Sequence, residues 1–480
     1  MPGRRTRAAV RHAPTLAELT LSQTGILGEE RRVNSLKIGI SGVRGVVGET
    51  FTPELAVAFA QAFGTYLDSG RLLVCRDTRT SGAMVQAAVI SGLLATGCEV
   101  VNLDVCPTPS LQLAVRRLQA EGGISITAGH NPEPWNALKF VRPDGLYLNA
   151  AQADELLDIF HQAEFAKATW ESIRSRVERQ DAIAHHLEIL SRAFDVEAVR
   201  ARRLTVAVDC CNSSCSLLSP RWLGALGCNV LAVNDDPAAP FPHAPEPGRQ
   251  TMAQLRAVVL AGRADVGFAH DADGERLGIV TETGEMLSEE ATLAIAAEIE
   301  LRRQAGTVVT NISTSAAVER VAARHGATVV RTPVGQAFVS EAMLEVGGVL
   351  GGEGSGGVIV PRVQWTHDSA AAVGLILEHM ALTGETVSEL AAAVPRFHML
   401  KHNMPVEPDR IHSLMQRMHD ELEREKLDYE QTDGIKVSWP DGWAHVRVSN
   451  TESMIRIIAE AETAARAREL LDWARDRVVK

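Results

Sequence analysis

Residues 71–105 read RLLVCRDTRTSGAMVQAAVISGLLATGCEVVNLDV. RLLVCRDT is apolar and β-rich, SGAMVQAAVISGLLATG has the length and composition of a helix that stops at Gly97, and CEVVNLDV returns to strand character. The same order recurs twice. RLTVAVDC (203–210) leads to a helical stretch ending at Gly227 and then CNVLAVND, and TVVTNIST (307–314) leads to SAAVERVAARHG and ATVVRTPV. A glycine just past a helix suits the left-handed turn that closes many helices. Strand–helix–strand order requires crossovers, so the sheets are expected to be largely parallel with helices on their faces.

Each copy then runs into a third element that stops in an unusual loop: GGISITAGHNP (122–132), ADVGFAHDADGER (264–276) and GGVLGGEGSGG (347–357). Open α/β sheets bind ligands beyond the carboxyl ends of their strands, so three such loops can line one cleft. From about residue 394 the pattern changes to FHMLKHNMPV, a charged helix, two short strands around RVSNTES (447–453) and a terminal helix. The expected fold class is α/β, with three related α/β domains around a central cleft plus a C-terminal α+β domain. The boundaries read as 1–35 (a flexible N-terminal extension), 36–170, 171–285, 286–393 and 394–480.

Composition limits the partners. The 480 residues are 45% hydrophobic and 22% charged, as in a soluble enzyme. Sixty acidic against 48 basic side chains give a net charge of −12, which argues against a nucleic-acid binder but not against a small anion in a locally basic pocket. No apolar run is long enough to span a bilayer, and the basic N-terminus lacks the apolar core of a secretory signal, so a cytoplasmic location is expected. Seven cysteines, with Cys210, Cys211 and Cys215 clustered, form neither a disulfide framework nor a zinc spacing and are read as reduced, mostly buried thiols.

The loops carry the chemistry. In HDADGERLGIV (270–280), Asp271, Asp273 and Glu275 alternate, so three carboxylates can project to one side of an extended loop and suit Mg²⁺. A calcium EF-hand fails because Arg276 stands where the loop needs glycine. GGEGSGG matches G-x-G-x-x-G, but VIVP follows it instead of a helix, so a dinucleotide site has no physical basis there. Glu353 and Ser355 are instead available to hydroxyl groups. Arg447, Ser449, Asn450 and Thr451 supply a guanidinium and small donors suited to a phosphate dianion. His130 and Lys139 in TAGHNPEPWNALKF, with Arg44 in ISGVRG, can handle protons and charge at a transferring phosphoryl group. Each loop taken alone also reads as an ordinary polar turn.

In this order, ISGVRG, CRDTRTSG, TAGHNPEPWNALKF, HDADGERLGIV, GGEGSGG and RVSNTES resemble the α-D-phosphohexomutase family, from about Lys37 to the C-terminus. The resemblance implies interconversion of hexose 6-phosphate and hexose 1-phosphate through a bisphosphate, with Mg²⁺ on the aspartate loop and a hexose 1,6-bisphosphate activator. Arg44, His130, Lys139 and Arg276 would assist transfer, Asp271, Asp273 and Glu275 would hold metal, Glu353 and Ser355 would read the sugar, and Arg447, Ser449, Asn450 and Thr451 would hold the other phosphate. The loop wording is most similar to bacterial phosphoglucosamine mutase-like proteins, so glucosamine phosphate is the expected substrate, with glucose and mannose phosphates as alternatives. The implied protein is a monomer or dimer without nucleic-acid or membrane partners.

The family motif T-A-S-H-N-P holds a phosphoserine, and here that position is Gly129. Glu275 replaces an aspartate, and Ser453 replaces a proline. The covalent relay needs a nucleophile. Four readings follow: Thr127 or Ser125 serves instead, His130 becomes a phosphohistidine, a held bisphosphate shuttles the group, or the chain binds sugar phosphates without catalysis.

Overall fold

A computed structural model of the chain describes residues 36–39, 42–174, 177–449 and 454–479. The expected N-terminal extension, Asn450, Thr451 and Ser453 lie outside them.

The first unit is a seven-stranded sheet ordered β1-β2-β6-β5-β3-β4-β7. Its strands are β1 (Lys37–Gly39), β2 (Gly42–Val46), β3 (Arg71–Arg76), β4 (Glu99–Val105), β5 (Gly122–Ile126), β6 (Trp135–Val141) and β7 (Glu178–Arg179). Helices α1 (Gly82–Ala95) and α2 (Thr108–Arg117) make the two crossovers. The second unit has β8 (Thr205–Asp209), α3 (Ser219–Ala225), β9 (Asn229–Val233), α4 (Ala253–Gly262), β10 (Val266–His270) and β11 (Leu277–Thr281). The third repeats the order with β12 (Thr307–Asn311), α5 (Ala317–Arg324), β13 (Thr328–Thr332), α6 (Gln336–Val346), β14 (Leu350–Glu353) and β15 (Gly357–Ile359).

The repetition seen in the sequence is a repetition of topology. The sheets run β6-β5-β3-β4, β11-β10-β8-β9 and β15-β14-β12-β13 at equivalent places. In each, three strands are parallel and the fourth is antiparallel. The parallel part follows the expectation; the antiparallel strand was not anticipated. Gly97, Gly227 and Gly326 take the left-handed φ that ends each first crossover helix. Buried runs such as Leu72–Cys75 and Val206–Val208 are apolar on both faces, as strands covered by helices on two sides must be.

The last unit is an antiparallel sheet ordered β16-β20-β19-β18-β17, from β16 (His398–Pro405), β17 (Tyr429–Glu430), β18 (Ile435–Trp439), β19 (Gly442–Val448) and β20 (Met454–Ala461). It packs with α7 (Pro408–Glu425) and α8 (Ala464–Val479) around its own apolar cluster of Leu422, Val446, Ile457 and Ala474. This is the expected α+β unit. One continuous apolar cluster joins the first three units through Leu73, Trp222, Leu293 and Leu375.

All seven cysteines are free and six are buried, as expected. Among the described residues no helix is long and apolar enough to cross a membrane.

Candidate active site

The antiparallel strand explains the loops. Each loop is the turn between a third parallel strand and its antiparallel neighbour: 127–134 between β5 and β6, 271–276 between β10 and β11, and 354–356 between β14 and β15. All three leave the carboxyl ends of parallel strands. They open on one cleft of about 300 Å³. Its first-unit wall carries Arg44, Gly129, His130 and Lys139, and its second-unit wall Asp271, Glu275 and Arg276. Glu353 and Ser355 come from the third unit, Arg447 and Ser449 from the fourth. The described sequence-predicted residues therefore line one cleft, although they span more than 400 positions, except Asp273, which is buried against Lys139.

Loop 127–134 is held by an arginine outside the loop. Arg79 is fully buried and pairs with Asp77 at 2.9 Å. It also donates to the carbonyls of Gly129 and Asn131 at 2.7 Å, Pro132 at 2.6 Å and Trp135 at 3.1 Å. A planar guanidinium with five fixed donors can tie a whole turn in this way. Arg44 on β2 donates to Asn131 at 3.2 Å.

Neither upstream hydroxyl is exposed: Ser125 does not line the cleft, and Thr127 borders it but is fully buried. Ser125 is 1% exposed and bonds Thr108 at 2.8 Å, while Thr127 is 0% exposed, donates to Asp77 at 2.6 Å and accepts the N–H of Gly129. His130 is half-buried on the cleft wall. Burial, together with Arg276, Arg44 and Lys139, holds its pKa well below the ordinary histidine value, so it is neutral at pH 7.

The acidic loop departs from the extended arrangement expected of it. It is a turn closed by Asp271, whose Oδ1 accepts the N–H groups of Glu275 and Arg276 at 2.9 and 3.0 Å. Ser213 and Ser214 grip the Ala272 carbonyl at 2.6 and 2.7 Å, and the Asp273 carbonyl accepts from Thr108 N–H. Glu275 is turned toward the first unit, where it accepts from Tyr147 and from Lys139 Nζ at 2.8 Å. Lys139 Nζ also reaches Asp273 Oδ2 at 2.6 Å. Burial works against that ammonium, but Asp273 and Glu275 outweigh it and raise its pKa. Burial and then Asp273 push Asp271 well above the usual carboxylate range.

Among the described residues no three acidic, histidine or cysteine side chains stand ready as a metal cage. In this arrangement Glu275 is bonded to Lys139 and Tyr147. The donors still suit a hard cation in kind. They are carboxylate oxygens on one loop, and Asp273 Oδ1 is buried with no hydrogen-bond partner.

Arg276 ion-pairs with Glu246 at 2.8 Å, and Leu277 N–H bonds Gly356 O, which ties the second loop to the third. Glu353 is fixed by Asn311 at 2.6 Å and Gly335 N–H at 2.9 Å. Arg447, 4% exposed, pairs with Asp433 at 3.0 Å, and Asp433 also accepts Val334 N–H from the third unit. Directly opposite Arg447 across the β19–β20 ladder stands Arg456, another cleft residue. Two guanidinium groups side by side on the cleft wall suit a phosphate dianion. Tyr147, Arg456 and His367 also line the cleft and were not picked out by motif.

Three copies of one α/β unit and a smaller α+β unit thus surround one cation-rich cleft. Family models for phosphoglucomutase/phosphomannomutase match in order: alpha/beta/alpha domain I over residues 35–167, domain II over 184–284, domain III over 288–397 and the C-terminal domain over 403–476. The chain is 38% identical to a phosphoglucomutase/phosphomannomutase of Thermococcus kodakarensis, over 90% of this chain and 96% of that one. It is 36% identical to a probable phosphoglucosamine mutase of Pyrococcus abyssi, over 92% and 97%. The solved structure of a phosphoglucomutase/phosphomannomutase family protein from Burkholderia thailandensis superposes with a TM-score of 0.81 at 24% identity, covering 93% of this chain and 97% of that one. The chain belongs to the phosphoglucomutase/phosphomannomutase family.

Proposed function

We propose that this chain is an intramolecular phosphotransferase that interconverts hexose 6-phosphate and hexose 1-phosphate through a hexose 1,6-bisphosphate, with glucosamine phosphate as the preferred substrate. The observation that carries the reading is the convergence of loops from all four units on one cleft, with cations contributed by the first, second and fourth units. A hexose carrying phosphate at each end needs this arrangement. Arg447 and Ser449 hold the phosphate that does not react, Glu353 and Ser355 read the hydroxyls, and Arg44, His130, Lys139 and Arg276 surround the phosphoryl group that moves. The sugar turns over between the two half-reactions, so each end meets each wall once.

Mg²⁺, held by Asp271, Asp273 and Glu275, would supply positive charge to the phosphoryl group during transfer. Lys139 supplies charge to the same region and keeps the carboxylates neutralised. The site is read as belonging to a cytoplasmic protein. Glucosamine is favoured by the wording of the loops and by relatives that bear the name probable phosphoglucosamine mutase.

Gly129 favours a second reading, in which the cleft binds sugar phosphates without turnover. Competition among glucosamine, glucose and mannose 6-phosphates in one assay, with Mg²⁺ and the bisphosphate present, separates the two. Turnover with the highest kcat/KM for glucosamine phosphate supports the proposal. Binding of all three with no 1-phosphate formed supports the alternative.

A further inference from the structure

A relay through a bisphosphate works most simply when the protein stores one phosphoryl group between half-reactions, and Gly129 offers no atom for it. The side chains around it narrow the choice. Thr127 and Ser125 are buried and engaged in internal hydrogen bonds, as described above. Cys75, which touches Ser125, is buried as well. His130 is different on three counts. It is only half-buried on the cleft wall, its ring has no hydrogen-bond partner among the described residues, and it adjoins the vacant position.

The backbone on both sides of it is anchored. A single Arg79 nitrogen, Nη2, holds the carbonyls on either side of it, Gly129 O and Asn131 O, each at 2.7 Å. Consecutive Cα atoms lie about 3.8 Å apart, and an imidazole nitrogen reaches beyond its own Cα by a comparable distance. A ring on residue 130 can therefore serve the space above residue 129. The cations that would meet a phosphoryl dianion there, Arg44, Lys139 and Arg276, line the same cleft.

We propose that His130 is the phosphoryl carrier of this chain, taking over as a phosphohistidine the task that serine performs elsewhere in the family. The inference rests on the mutase reading and adds the identity of the covalent intermediate. A ring nitrogen attacks phosphorus of the hexose 1,6-bisphosphate with its own lone pair. The N–P bond forms, the bond from phosphorus to the sugar oxygen breaks, and the sugar oxygen takes a proton from water in the cleft. The other ring nitrogen keeps its hydrogen. In the return step a sugar hydroxyl attacks phosphorus, loses its proton to water and restores the free ring. No base has to activate the nucleophile, as it would for a serine hydroxyl. That matters here because Asp273 and Glu275 are both bonded to Lys139.

The test is incubation of the full chain with glucose 1,6-bisphosphate and with glucosamine 1,6-bisphosphate, followed by intact-mass and fragment analysis. We expect one added phosphoryl group, released in acid, stable in alkali and mapping to His130. His130→Asn should take up no such group and lose at least a hundredfold in turnover. The double variant Gly129→Ser/His130→Asn should take up an acid-stable group on the introduced serine, which shows that the cleft still folds and binds. An acid-stable phosphate on Thr127 or Ser125 overturns the proposal. So does turnover of a hexose phosphate by a chain that never carries label, an outcome that leaves the mutase reading standing. Absence of both label and turnover overturns both.

Discussion

A Cβ placed on Gly129 would lie 3.4 Å from each carboxylate oxygen of Asp273, with nothing nearer. That is ordinary contact, so the acidic loop leaves room for a side chain that the chain lacks. The obstacle is the backbone, because Gly129 has φ +55°, in the left-handed region. A non-glycine residue there costs about 1–2 kcal/mol. Gly129→Ser is therefore expected to fold with a stability lowered by about that amount in a denaturant titration. After exposure to bisphosphate its phosphoryl label should be acid-stable, in contrast to the parent chain.

Lys139 bridges Asp273 and Glu275, so any divalent cation on this loop competes with an ammonium already in place. Lys139→Met leaves two buried carboxylates uncompensated, a loss of about 3–5 kcal/mol for a broken buried pair. Thermal melts with and without Mg²⁺ should show the variant well below the parent, and Mg²⁺ should raise its Tm more than it raises the parent's. Equal Mg²⁺ shifts in both proteins would place the cation elsewhere.

Arg447 and Arg456 face each other across the β19–β20 ladder and both line the cleft, a pair suited to a phosphate dianion. A hydrogen bond to a charged group contributes about 1.5–3 kcal/mol. Arg447→Met should thus raise KM for hexose phosphate by roughly 10- to 100-fold with a smaller change in kcat. A change confined to kcat would contradict the assignment of this wall to the phosphate that does not react.

His243 gives a pH signature outside the cleft. Burial disfavours its charge, but a hydrogen bond to Asp209 at 3.0 Å and others to Cys211 and Ala244 prevail and lift its pKa from 6.5 to about 10. A raised folded pKa contributes stability that is fully present below pH 6.5 and fades as pH climbs to about 10. His243→Gln should be destabilised relative to the parent at pH 6, with the gap closing toward pH 10. A gap independent of pH would mean that the imidazolium is not what holds this turn.

The repeated unit was legible because each copy begins with the same strand–helix–glycine–strand order, which needs no tertiary information. The antiparallel fourth strand was not. In the first unit it is WNALKFV, which follows a Pro-rich turn and carries Lys139 into the cleft. In the third it is only three residues, Gly357–Ile359, too short to show a period. The cleft loops were recognisable from their residue types, yet the direction of Glu275 was not, because Tyr147 and Lys139 reach it from another unit. Arg79 was hidden for a similar reason. Its partners are mostly backbone carbonyls some 50 residues away, and carbonyls leave no mark in a sequence.

Transfer of phosphate between the two ends of one hexose is followed directly by phosphorus NMR. Glucosamine 6-phosphate is incubated with the purified chain, Mg²⁺ and a trace of its 1,6-bisphosphate. We predict growth of the 1-phosphate resonance to a fixed equilibrium ratio, reached equally from either side. A spectrum in which hexose phosphate is bound but no phosphate changes position, for glucosamine, glucose or mannose, would contradict it.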